Sequence, residues 1–178
     1  MIVGNGFLFD GAMNEVAPNY PDLNFAITDG VAEPSNVRGM LFKHAEGSYL
    51  AGIAAALKTK TNNVGFIGGV DFPLIHEFEQ GFLAGVAEIN PDIVVQIGYA
   101  SVPPDFSGFN DPVKGKEIAL AQYEAGADII YHAAGGTGTG MFEAAKEVSE
   151  ATGSKVWGIG VDFDLSLIHI SEPTRHRR

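Results

Sequence analysis

From residue 64 onward, short apolar runs alternate with longer stretches in which apolar residues recur every three or four positions. The runs at 64–67, 93–99 and 156–161, and the one opened by Ile129 after the turn at Gly126, have the length and β-branched content of buried strands. Between the first two, Ile75, Phe78, Phe82, Val86 and Ile89 form a helical stripe that Asn90-Pro91 stops. Asp111 and Pro112 supply a cap and first position for the next helix, which ends at Gly126. A third helix follows from Met141 to about residue 151, with Gly153 as its C-terminal cap. Such alternation with short loops predicts a parallel α/β sheet with right-handed crossovers.

The same order appears incompletely before residue 60. A strand at 2–3 is followed by a short helix from about Asp10, which Pro18 and Pro21 close off. Strands at 24–28 and 37–42 come next, then a helix from about Glu46 with Tyr49, Leu50, Ile53, Ala54 and Leu57 on one face. We expect residues 1–60 to be the C-terminal part of one α/β lobe with its hinge crossover near 31–61, and residues 61–164 to be most of a second.

The chemistry concentrates where strands end. Asp128 to Gly140 reads as strand, glycine loop and helix start, and in open α/β sheets ligands bind outside the carboxyl ends of the strands. Glycines there let backbone approach a ligand. Three strands end in aspartate, at Asp29, Asp71 and Asp162; a carboxylate in that place suits the adjacent hydroxyls of a sugar, although Asp is also common there as a helix cap. Phe109, between Gly108 and Asn110, offers either a flat face for a purine or a hydrophobic staple under the Pro112 helix, and Phe106 competes for both roles.

Other signatures fail. Gly136-Thr137-Gly138 begins a dinucleotide fingerprint whose third glycine would fall at Met141, and no lysine follows Gly140 as a phosphate-binding loop requires. There is no Gly-x-Ser-x-Gly elbow, and His44, His76 and His132 lack metal-ligand spacing. His132 at a strand end reads as a packing histidine. No enzyme, metal or cofactor is called for; a cytosolic nucleotide-dependent oxidoreductase on a doubly wound scaffold is the alternative, and it needs the glycine loop to hold a pyrophosphate.

Composition narrows the partners. The chain has 178 residues, 46% hydrophobic and 19% charged, so it has the makings of a packed core, and no apolar run approaches membrane-spanning length. A formal charge of −11 argues against nucleic acid, whose phosphates need clustered Lys and Arg. Cysteine is absent, which removes disulfides and thiolate chemistry. Neither end looks natural. The chain begins in mid-strand without an export signal, and residues 165–175 resemble the conceptual translation of a sequencing adaptor, so 165–178 is expected to be a non-native tail.

Seven segments resemble the basic membrane protein family, the substrate-binding lipoproteins of ABC importers: residues 4–7, 25–30, 44–52, 64–69, 109–116, 133–138 and 159–162. The resemblance runs in order from Met1 to Asp164. It implies a type I periplasmic-binding-protein fold, two α/β lobes closing on a purine nucleoside, truncated here at both ends. By position, Phe109 resembles one of two aromatics that sandwich the base. Asp29 and Asp162 resemble carboxylates that bind ligand hydroxyls and polar atoms, and Gly135 supplies loop backbone. The family's other aromatic and an Asn would lie before residue 1, and its Lys beyond Asp164. The resemblance further implies ABC permease subunits as partners and an extracytoplasmic location, at the cell membrane or in the periplasm, through an N-terminal lipid anchor absent from this sequence.

Overall fold

A computed structural model describes residues 1–162. The expected tail at 165–178 lies outside the described residues. The chain divides into two compact units between Lys43 and His44.

The first unit holds a parallel sheet of β1 (Ile2–Gly4), β2 (Phe25–Thr28) and β3 (Val37–Met40), in that order. Helix α1 (Asp10–Val16) joins β1 to β2, and a 3-10 turn at Ala17–Asn19, containing Pro18, ends it where proline removes a backbone donor. Ala17, Phe25, Ala26 and Ile27 are buried. The Asn36 amide ties the crossings together by donating to Ala17 O at 2.9 Å and Tyr20 O at 3.0 Å.

The second unit is a four-stranded parallel sheet of order β5-β4-β6-β7, from β4 (Asn63–Val70), β5 (Val94–Ser101), β6 (Ile129–Ala133) and β7 (Trp157–Ile159). Strand β7 is shorter than the apolar run at 156–161 predicts. Helices cover both faces, which is why β4 and β6 are buried along their length. Side chains two apart share a face: Val64, Phe66, Ile129 and Tyr131 meet α2 (His44–Lys58) and α3 (Pro73–Ile89), while Ile67 and Ile130 meet α4 (Pro112–Glu124) and α5 (Gly138–Thr152). Asp111 caps α4 by accepting from Lys114 N–H at 2.9 Å, and Gly153 ends α5 in the left-handed conformation, as expected. Among the described residues no helix is long and apolar enough to cross a membrane.

Two expectations are corrected. In α2 the buried residues are Ser48, Gly52, Ala55 and Ala56, while Leu50 and Leu57 are 67% and 71% exposed. The α2–α3 contact is too close for large side chains: a Cβ at Gly52 would lie 2.2 Å from Phe82 O, and one at Gly85 2.0 Å from Tyr49 O. Helix α5 begins at Gly138, three residues before the expected start. Gly138 and Gly140 are therefore packing residues, because a Cβ on them would meet the His132 ring at 2.0 Å and Pro112 O at 1.8 Å. Of the glycine run, Gly135 and Gly136 are the ones that lie before the helix.

Candidate functional site

Parallel strands deliver their carboxyl ends to one rim, and in the second unit that rim brings Phe109 and Gly135 together, while Asp162 follows the end of β7. Strand β6 ends at Ala133, level with Gly68 of β4, and Ala134 leads into a 3-10 turn at Gly135–Thr137. Gly135 and Gly136 are exposed there, and Gly135 has φ +51°, a conformation open to glycine without steric cost. Strand β7 ends at Ile159, paired with Tyr131 of β6, and Asp162 follows three residues later in the chain, beyond the strand's carboxyl end.

Phe109 closes a second 3-10 turn, Ser107–Phe109, between β5 and α4. Its half-buried ring lies on Gly69 at the end of β4, where a Cβ would approach the ring to 2.4 Å. The staple alternative does not describe this packing, since the ring rests on a strand end and Phe109 stands two residues before the Asp111 cap. Its carbonyl faces the glycine loop, 3.1 Å from where a Cβ on Gly135 would sit. Phe106 instead packs edge-on against Phe72, with ring centroids 5.7 Å apart.

Asp162 is exposed and has φ +72°. Its carboxylate acts on Tyr131, whose hydroxyl is held above its ordinary range chiefly by burial and further by the Asp162 charge, against an opposing hydrogen bond with Ser48 at 3.0 Å. Asp71 does not cap α3, whose cap position is Phe72; it pairs with His76 Nε2 at 2.6 Å. Tyr99 packs edge-on to that imidazole and donates to Glu79, and burial followed by this hydrogen bond drives its ionisation far above the ordinary range.

Asp29 belongs to the first unit, at the carboxyl end of β2. A strand and not a helix follows it, so capping does not account for it. Like Asp162 it is left-handed, with φ +58°, a region few non-glycine residues occupy. Beside it, Thr28 Oγ1 accepts from Gly6 N–H at 2.7 Å and donates to Asn5 Oδ1 at 2.9 Å, holding the loop after β1 against the end of β2.

Sequence reasoning missed Gly69, on which the Phe109 ring lies, and Thr137, whose hydroxyl bonds the backbone at Gly108 and Asp111 on either side of Phe109. The one available signal was Thr137's place inside the glycine run, which says nothing of its distant partners. Among the described residues no three His, Asp or Glu side chains are grouped to hold a metal. His132 is buried, with its ring edge-on to Phe142 at 5.4 Å.

Residues 1–170 match the family model for PnrA-like ABC transporter substrate-binding proteins. The chain is 44% identical over 171 residues to the ABC transporter nucleoside-binding protein BmpA of Lactococcus lactis, covering 94% of this chain and 47% of that protein. It is 36% identical over 167 residues to basic membrane protein A of Borreliella burgdorferi, covering 92% and 46%. Among solved structures, an ABC transporter solute-binding protein from Aeropyrum pernix superposes with a TM-score of 0.77 at 31% identity, over 89% of this chain and 45% of that one. The chain spans about half the length of the curated relatives it matches.

Proposed function

Because the chain belongs to the PnrA-like family of ABC transporter substrate-binding proteins, whose members bind and deliver solutes and are not enzymes, we propose that the full-length protein binds a purine nucleoside. The observation that supports this reading is the meeting of Phe109 and the Gly135 loop at the carboxyl rim of the second sheet, with Asp162 following the end of β7. A ring of this kind takes a purine on its face, and an exposed carboxylate at a strand end takes ribose hydroxyls as donors. Asp29, at the corresponding end of β2, would supply the first lobe's carboxylate. The two lobes would close on the ligand, and the closed form would dock on permease subunits from an extracytoplasmic position held by a lipid anchor. The name of the Lactococcus lactis relative supports the nucleoside class.

Calorimetric titration of the full-length protein with guanosine, inosine and ribose tests the reading. Binding of the nucleosides is expected, with ribose alone bound weakly or not at all, because the stacked base supplies much of the contact. Tight binding of a free sugar with no response to any nucleoside would overturn it.

A further inference from the structure

Phe109 rides on a short turn in the long connection between β5 and α4, so something must fix its ring for it to serve as a stacking face. The residue placed to do so is Thr137, fully buried at the end of the glycine loop. Its Oγ1 donates to Gly108 O at 2.7 Å and accepts from Asp111 N–H at 2.7 Å, gripping the chain on both sides of Phe109. A hydroxyl carries one hydrogen and two lone pairs, so both bonds form at once. Below the turn, the fit to β4 leaves no slack, since a Cβ on Gly108 would lie 1.9 Å from Gly69 O. Behind Thr137, helix α4 closes on its backbone, with Gly115 so near that a Cβ there would be 2.1 Å from Thr137 O.

We infer that Thr137 is the positioning residue of the binding rim: its buried hydroxyl locks the Phe109 turn to the glycine loop, so that aromatic face and loop backbone meet a ligand as one rigid surface. The inference rests on the nucleoside reading for its consequence in binding, but the lock itself is independent of any ligand. Valine has the shape of threonine without the hydroxyl, and serine keeps the hydroxyl without the methyl.

In the full-length protein, Thr137→Val should weaken guanosine binding by about tenfold or more, while Thr137→Ser stays within about threefold of the parent. Because Thr137 acts through Phe109, the loss should shrink to about twofold or less when Thr137→Val is made in a Phe109→Ala background. Amide exchange of residues 107–111, measured by mass spectrometry without ligand, should accelerate in Thr137→Val and not in Thr137→Ser. Should Thr137→Val fail to fold, Thr137→Ala carries the same arms. Unchanged exchange at 107–111, or an equal binding loss with and without the Phe109 ring, would overturn the inference. If the parent protein bound no nucleoside, the function reading would fall, and the exchange arm would still decide for or against the lock.

Discussion

Phe109 is exposed enough to meet a ligand yet anchored through Gly69 and the Thr137 hydroxyl, so its removal should cost binding more than stability. Phe109→Ala is expected to lose about 1–3 kcal/mol of nucleoside affinity, roughly five- to 150-fold, read by calorimetry on the full-length protein. A loss confined to the melting temperature would assign the ring to packing instead. Tyr123 makes the opposite case, a buried phenol whose hydroxyl donates to Trp157 O at 2.9 Å, with burial and then the Asp128 charge pushing its ionisation far up. In the unfolded chain this phenol ionises near pH 10, while in the folded chain it keeps its proton to higher pH. Its contribution is therefore fully present below about pH 10 and is lost as pH rises further, with a slope of up to about 1.4 kcal/mol per pH unit. Tyr123→Phe should flatten the alkaline limb of a denaturation profile above pH 10, and an identical limb would show that the shift is not expressed in stability. Single residues of this kind were the least legible in the sequence. Phe109 and the strand-end aspartates announce themselves by residue type and place, whereas Thr137 works through partners 26 and 29 positions away.

Elements were easier to read, and the reason is that β4, β6 and α3 bury large side chains at regular spacing, so pattern and packing coincide. Helix α2 breaks that coincidence, because its contact with α3 is set by how closely two backbones approach and not by apolar content. The glycines of α2 separate these effects. Gly52 sits in the contact, and Gly52→Ala drives a Cβ to 2.2 Å from Phe82 O, which should destabilise the second unit by about 1–3 kcal/mol or more. Gly47 lies in the same helix with open space around it, nothing coming within 4 Å of where a Cβ would sit, so Gly47→Ala should stabilise by roughly 0.5–1 kcal/mol through backbone entropy. Urea denaturation of both variants checks the pair. Destabilisation of similar size at both positions would mean that helix propensity, and not the α2–α3 distance, governs this helix. The early start of α5 has the same origin: Gly138 and Gly140 read as loop in the sequence, but they pass beneath His132 and beside Pro112, where only glycine fits inside a helix.

At the scale of the whole molecule the dominant property is a charge imbalance, 22 acidic against 11 basic residues. Several lysines are already engaged locally. Lys116 pairs with Glu147 at 2.7 Å and Lys114 with Glu117 at 3.2 Å, while Lys58 and Lys155 sit over the Trp157 ring at 4.5 and 4.1 Å from its centroid. These exposed pairs contribute little each, so they do not offset the repulsion among the remaining carboxylates. The Debye length falls from about 30 Å at 10 mM salt to about 8 Å at 150 mM, which takes repulsion between carboxylates on separate elements from felt to largely screened. Folding compacts those charges, and the unfolded chain spreads them. The 178-residue chain should therefore melt at a higher temperature in 150 mM sodium chloride than in 10 mM at pH 7, with chloride chosen because sulfate would also strengthen apolar burial. Lowering the pH toward 4.7, where the net charge vanishes, should shrink the salt effect and bring the solubility minimum. A melting temperature that falls with added chloride at pH 7 would mean that the local ion pairs outweigh the long-range repulsion, and that the acidic surface costs the fold nothing.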